Sequence, residues 1–360
     1  MFLKNCWYVA AFSSELQGDR LVARRILGVA VVLFRGSGGQ VAALLDQCPH
    51  RLAPLSLGTR VGDGVRCAYH GMVFGEDGRC VRIPGQADIP RAARATTFPI
   101  VERHGHVWIW MGDASLSNEA AIPEVPWASD PAWGTVQGYL HFAAGYELLS
   151  DNLLDLSHET YLHEGTIGNA DEQTIADYPV KVTVRDGDVI SAAREMRNID
   201  PPPWFAMILN TKDRIDRWQT AVWAAPSFNM TDTGASHAGT DHKAAYIGRV
   251  LHLLTPETER STHYFWSVSR NYRTDEEELS KAISEAVIRT FGEDKAMLER
   301  QQIEIEQSGL KVPKVAIRVD EAPLRARRLL EGRIRKEQDE GAVSIAPVRL
   351  LEAVPSVVDA

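Results

Sequence analysis

The sequence predicts an α+β chain: a small antiparallel β domain, then a larger domain in which a central antiparallel sheet is flanked by helices. Three observations carry that prediction. The first 110 or so residues break into short β-branched or aromatic runs, Val29 to Phe34, Val41 to Leu45, Met72 to Phe74 and Val107 to Met111, separated by turn clusters such as Gly36-Ser37-Gly38-Gly39 and Gly75-Glu76-Asp77-Gly78. Past Met111-Gly112-Asp113 a connector carries Pro123, Pro126 and Pro131, which sets the expected domains at 1–115 and 116–340. Longer strand-like stretches follow, Val180 to Val184, Val189 to Met196, Ala244 to Leu254 and Thr262 to Ser269. A helix is expected from the acidic start Thr274-Asp275-Glu276-Glu277 through Met297-Leu298-Glu299-Arg300-Gln301, since carboxylates favour a helix N-terminus. A second charged helix is expected over Glu321 to Glu340, and residues 341–360 read as a loose tail.

With 360 residues, 44% hydrophobic and 24% charged, the chain is ordinary globular material with enough length for two cores. The net charge of −9 hides an asymmetry: residues 1–113 carry 13 Lys+Arg against 9 Asp+Glu, and the remainder 26 against 39. Opposite signs on two domains favour docking of one onto a neighbouring copy of the other, or of the basic one onto an acidic electron donor. So acidic a chain argues against nucleic-acid binding. The N-terminus places Lys4 and Asn5 where a signal peptide needs an unbroken apolar run, and no window reaches a membrane span. Four cysteines make no disulfide framework, so a soluble cytoplasmic protein is expected.

Two of those cysteines stand in mixed pairs with histidine: Cys48-Pro49-His50, then Cys67-Ala68-Tyr69-His70. Two thiolates and two imidazoles in that alternation suit a [2Fe–2S] centre in which one iron keeps sulfur ligands and the other takes nitrogen, the Rieske arrangement. Structural zinc is the competing reading for four Cys/His ligands, but zinc modules usually pair like with like. Cys6 and Cys80 are left over. A second set of ligand-type residues lies in Asp151 to His163, DNLLDLSHETYLH. His158 and His163 are five apart, about 140° in azimuth on an ideal helix, so they share a face only if the helix is distorted or ends there; Ser157 and Gly165 are the expected places for such a break. Two histidines and one carboxylate make the facial triad that binds Fe(II) and leaves positions open for dioxygen and substrate.

The loops CPHRLAPL and CAYHGMVF resemble the Rieske domains of ring-hydroxylating and demethylating oxygenases, and lack the additional cysteine of respiratory Rieske proteins. With DNLLDLSHETYLH and Ile167-Gly168, Pro202-Pro203-Trp204, Asp216-Arg217-Trp218-Gln219 and Met297 to Gln302, the likeness covers nearly the whole chain. It is to the oxygenase components of Rieske non-haem iron monooxygenases, in the subgroup of vanillate O-demethylase, dicamba O-demethylase and toluenesulfonate methyl-monooxygenase. That resemblance implies a helix-grip-like catalytic domain and a third iron ligand at Asp294, with Glu293 as the alternative. It further implies that Asp155 bridges a cluster histidine and an iron histidine across a subunit boundary of a head-to-tail homotrimer, with Asn152 near the iron. His252 and, more loosely, Asn229 match substrate-contacting positions, and Phe228, Trp266 and Ile167 are expected to line the pocket.

The expected reaction takes two electrons through the cluster and O2 at the iron to oxidise a methoxy methyl group of a small aromatic acid; the hemiacetal so formed collapses to a phenol and formaldehyde. Aryl-methyl hydroxylation and N-demethylation are the alternatives within the class, and an electron carrier with a structural second domain is the alternative outside it. The chain has neither a GxGxxG fingerprint nor a flavin motif, so NAD(P)H serves only through a separate reductase of ferredoxin or flavin/iron–sulfur type.

Overall fold

A computed structural model describes residues 1–185, 189–240, 246–309, 315–341, 350 and 354. The residues form two compact units, one from Met1–Ile122 with Thr255–Glu259 and the end of the last helix from Lys336, the other from Pro123–Leu254 and Arg260–Arg335. The architecture is the α+β class expected. Of the expected tail, all but 341, 350 and 354 lies outside the described residues.

The first unit holds ten strands: β1 (Trp7–Phe12), β2 (Val22–Ile26), β3 (Val29–Arg35), β4 (Val41–Leu45), β5 (Thr59–Val61), β6 (Gly64–Arg66), β7 (Val73–Gly75), β8 (Cys80–Arg82), β9 (Ile100–Arg103) and β10 (His106–Trp110). They make three antiparallel sheets ordered β1-β10-β9, β2-β3-β4 and β5-β6-β7-β8. Val32, Phe34 and Leu44 from the second sheet meet Val65, Phe74 and Cys80 from the third in one core that also buries Cys48 and Cys67. Cys80 is thereby accounted for as a core residue. Strand β1 escapes the sequence reading because it is buried along its whole length and so shows no alternation.

The second unit is built on a seven-stranded sheet in the order β11-β17-β16-β15-β14-β13-β12. Its strands are β11 (Gly134–Phe142), β12 (Lys181–Arg185), β13 (Val189–Ile199), β14 (Ile215–Ala224), β15 (Phe228–His237), β16 (Tyr246–Thr258) and β17 (Ser261–Arg270), and the expected strand start at Ala244 falls outside the described residues. Helices α1 (Tyr146–Leu154), α2 (Glu159–Leu162), α3 (Pro203–Leu209), α4 (Glu277–Ser308) and α5 (Glu321–Glu340) complete the fold. Glycines opposite tryptophans let the sheet hold large side chains: an added Cβ at Gly138 would stand 2.3 Å from the Trp266 indole, and one at Gly234 2.1 Å from that of Trp218. The sheet face away from the helices is covered by the connector, where the Arg249 guanidinium lies 4.9 Å from the Trp127 ring centroid and 4.5 Å from that of Trp133.

Candidate metal centres

The two Cys-His loops of the first unit are built alike. In the loop after β4 the Leu52 N–H donates to the Cys48 carbonyl (2.8 Å) and the Cys48 N–H to the Ala53 carbonyl (2.8 Å). In the loop between β6 and β7 the Gly71 N–H donates to the Cys67 carbonyl (3.0 Å) and the Cys67 N–H to that of Met72 (2.8 Å). The fifth residue of each loop is left-handed, Leu52 at φ 59° and Gly71 at φ 71°. That shared turn lifts the two histidines out while holding the cysteines in. Cys48 and Cys67 are each 2% exposed and His50 and His70 exposed, with the imidazole centroids 4.6 Å apart at 64°.

No disulfide joins any of the four cysteines. Burial pushes the Cys48 thiol up, N–H donation from His50 draws it down, and the adjacent Cys67 thiol raises it again, for a net rise. Two crowded, buried thiols facing two paired imidazoles are the donor set a [2Fe–2S] cluster with mixed ligation requires, and the N–H groups aimed at sulfur are of the kind that tune such a centre.

In the second unit the run DNLLDLSHETYLH breaks first at Asp155, ahead of both histidines; Ser157 then lies in a 3-10 turn and the helix ends at His163, two residues before Gly165. Helix α1 stops at Leu154, and Asp155 adopts an extended conformation (φ −111°, ψ 92°) that caps a single 3-10 turn, Leu156–His158. Its carboxylate accepts from the Ser157 N–H (3.0 Å) and hydroxyl (2.7 Å), a local competition that ends a helix. Helix α2 then runs one turn and His163 caps its end. Gly168 permits the close return of the chain, since an added Cβ would meet the Glu159 carbonyl at 2.1 Å. The change from 3-10 to α winding after His158 and the non-helical backbone of His163 (φ −117°, ψ 28°) bring the two imidazoles together, centroids 5.2 Å apart at 74°.

Asp294 arrives from the apolar stripe of α4, where Leu279, Ile283, Phe291 and Leu298 are also buried. Its Oδ1 lies 3.5 Å from His158 Nε2 and 3.3 Å from His163 Nε2. The outward nitrogens are held: His158 Nδ1 is 2.6 Å from the Asp155 carbonyl oxygen and His163 Nδ1 2.7 Å from Glu293 Oε2. Asn152 Nδ2 donates to Asp294 Oδ1 (3.1 Å) and stands 3.4 Å from His158 Nε2. Burial opposes charge on His158, yet the Asp294 carboxylate outweighs it and raises the imidazole to about 9. His163 is raised by the same balance, and Asp294, though burial pushes it up, is held well below the usual carboxylate range by the two imidazoles. One carboxylate oxygen and two imidazole nitrogens within 4.8 Å of one another fit a cation bound by a 2-His-1-carboxylate set, and each His orientation is fixed by a partner on its far nitrogen.

A cavity of about 130 Å³ adjoins these three residues. Its lining includes His252 and Ile167 from the expected pocket residues, together with Trp204, Phe205, Ile208, Val250, Val268 and Phe291. Phe228, Asn229 and Trp266 do not line it. Phe228 lies out of phase with Thr231 and Thr233, which face the cavity from the same strand. Asn229 is in phase but one repeat beyond, opposite His252, and Trp266 is screened by Phe291, whose ring stands edge-on to it at 5.9 Å. Glu159, Arg217 and Gln219 line the cavity without having been assigned a part from sequence. Arg217 and Gln219 share one phase of β14, but Asp216 and Thr220 put polar residues on the other and the strand is buried on both faces, so no alternation marks the cavity side.

Comparison with known proteins agrees with this geometry. A Rieske [2Fe-2S] domain model matches residues 6–98, and a model described as the vanillate O-demethylase oxygenase C-terminal domain matches residues 142–336. A putative toluene-4-sulfonate monooxygenase system iron-sulfur subunit of Comamonas testosteroni is 38% identical over 347 residues, covering 95% of this chain and 99% of the relative. A vanillate O-demethylase oxygenase subunit of a Pseudomonas species is 36% identical over 355 residues, covering 94% and 97%. The crystal structure of dicamba monooxygenase bound to 3,6-dichlorosalicylic acid superposes with a TM-score of 0.88 at 35% identity, covering 95% of this chain and 99% of that one. The chain belongs to the Rieske non-haem iron oxygenase components with a vanillate O-demethylase-type catalytic domain, and carries that family's [2Fe–2S] cluster and mononuclear iron.

Proposed function

We propose that this protein is the terminal oxygenase of a multicomponent system that receives electrons from a separate reductase and demethylates a small methoxylated aromatic acid, vanillate or a close methoxybenzoate, to the phenol and formaldehyde. The observation that carries the reading is the convergence of His158, His163 and Asp294 beside an apolar cavity. Cys48, His50, Cys67 and His70 hold the cluster, and His158, His163 and Asp294 hold the iron. When bound, these groups supply one-electron transfer and the activation of dioxygen. The chain's own side chains do the rest: the Asp155 carbonyl and the Glu293 carboxylate keep both Nδ1 atoms protonated so that both Nε2 lone pairs are free, and Asn152 orients Asp294. The apolar walls exclude water from a substrate that needs only its ring buried and its polar group anchored.

Electrons pass between subunits of a head-to-tail homotrimer with Asp155 as the bridge: on the iron side its carbonyl, and not the carboxylate expected there, holds His158 Nδ1, and the carboxylate beside Ser157 is left to meet a cluster histidine of a neighbouring copy. Exposure of His50 and His70, with Leu52 (66%), Leu57 (73%) and Tyr69 (62%) exposed in the same loops, supports a protein surface docking there. Cysteines that form no disulfide support a cytoplasmic setting, and no described helix is long and apolar enough to cross a membrane. The toluene-4-sulfonate relative supports aryl-methyl hydroxylation as a second reading. Formaldehyde release from vanillate by the system reconstituted with a reductase, against hydroxymethyl product from 4-toluenesulfonate, decides between them; neither product, with only two irons per chain, would leave an electron carrier.

A further inference from the structure

The helix-facing side of the sheet presents the cavity with two polar ends. Gln219 stands opposite Thr233 and Thr233 opposite Gly248, while Asn229 stands opposite His252. Four residues of β15 separate those rows, about 13 Å along the strand. At the His252 end the cavity-lining side chain is satisfied, and the one unmet atom of that row, the buried Asn229 Oδ1, is an acceptor outside the cavity lining. His252 Nδ1 is 2.5 Å from the Tyr264 hydroxyl and Nε2 3.3 Å from Thr231 Oγ1, and complete burial keeps the ring neutral.

The Gln219 end differs. Arg217 is 3% exposed; its Nη1 donates to the Ile167 carbonyl (2.9 Å) and Asn169 Oδ1 (2.8 Å), and its Nη2 to Glu159 Oε2 (2.7 Å) and Gln219 Oε1 (2.8 Å). A guanidinium can only donate, so this contact fixes which end of the Gln219 amide is oxygen. The NH2 group is turned away from Arg217, is buried and has no partner; Arg217 Nε is in the same condition. Among the described residues, these two neighbours are the cavity-lining side chains that bear a buried polar atom without a partner, and both unmet atoms are donors. A wall that keeps unmet donors side by side lacks an acceptor. Arg194, 5% exposed and opposite Gln219 on β13, feels the carboxylates of Asp155 and Glu159 and does not line the cavity; the unmet guanidinium donor on the wall is Arg217 Nε, and a charged donor favours an anionic acceptor.

We propose that Gln219, oriented by Arg217, donates to a carboxylate or sulfonate oxygen of the aromatic substrate and sets the preference for acids. The inference rests on the aromatic-acid reading above. Binding of 3-methoxybenzoate, 4-toluenesulfonate and neutral anisole to the anaerobic holoenzyme, followed by quenching of tryptophan fluorescence, tests it without turnover. Wild-type protein is expected to prefer both acids to anisole. Gln219→Leu removes the donor and weakens the acids about ten- to hundredfold. Gln219→Glu keeps an acceptor for Arg217 but replaces the donor by a negative charge, and weakens them further. The readout is the ratio of acid to anisole affinity, which falls in both variants; Gln219→Leu also lowers the Tm of the ligand-free protein by stripping an acceptor from buried Arg217, whereas Gln219→Glu keeps that acceptor. Acid binding unchanged in the variants overturns the inference alone. So does a parallel loss of acids and anisole at an unchanged ratio, the mark of a purely structural glutamine. Wild-type protein that binds neither acid overturns the aromatic-acid reading as well.

Discussion

Replacing Glu293 by alanine removes the acceptor from His163 Nδ1 while leaving both Nε2 atoms and Asp294 in place. The lost contact is short, 2.7 Å, and half-buried, the Glu293 side chain being 34% exposed. Partners of this kind fix the tautomer and direction of a metal-bound imidazole, and their loss costs about 10–100-fold in metal affinity, or ~1.4–2.7 kcal/mol. Asp294→Ala deletes one of three ligands and is expected to lose far more, with no iron retained after dialysis. The assay is competition for Fe(II) by a colorimetric chelator under nitrogen, with the visible spectrum of the cluster as an internal record that the first unit is intact. Affinity unchanged by Glu293→Ala would refute the positioning role. Complete loss of iron in Glu293→Ala with retention in Asp294→Ala would exchange the two carboxylates.

Three further predictions concern stability. His106 is 1% exposed and burial lowers it to about 4, so between pH 6.5 and 4 the unfolded chain binds a proton that the folded one does not; stability is expected to fall by ~3 kcal/mol across that window on acidification, and less in His106→Gln, by denaturant melts. Glu159→Ala strands the buried Arg217 charge and is expected to cost about 3–5 kcal/mol, whereas Arg197→Ala, which breaks the exposed pair with Glu195, is expected to cost under ~1 kcal/mol; equal denaturation midpoints for the two variants would contradict the burial argument. Gly234→Ala drives a methyl group toward the Trp218 indole and is expected to destabilise by about 1–3 kcal/mol, with a shift in Trp fluorescence; a wild-type melt would show that the ring can move aside.

Much of the metal chemistry was legible in the sequence because it sits in short, local patterns. The mixed Cys-His pairs needed only their spacing, and His158 with His163 needed only the requirement for a broken helix. The place of the break was less legible. Asp155 ends α1 through a contact to Ser157, two residues on, so the break falls just ahead of the serine expected to mark it. Asp294 could be reached only by resemblance, since nothing local separates a ligand from the adjacent Glu293 until the fold shows one carboxylate at the Nε2 atoms and the other at Nδ1. The pocket was the least legible part. Whether Phe228, Asn229 or Trp266 faces a cavity depends on strand phase and on a helix residue, Phe291, far away in the chain. Strands buried on both faces, such as β14, carry no alternation from which that phase could be read.

The most direct test of the account is a single turnover with the cluster chemically reduced and substrate and O2 supplied, run before chelation of the mononuclear iron, after it, and after Fe(II) is restored. Oxidation of the substrate methyl group is expected only when iron occupies the His158, His163 and Asp294 site, with the cluster spectrum the same in all three states. Product formed at the full rate by the chelated protein, its cluster intact, would contradict it.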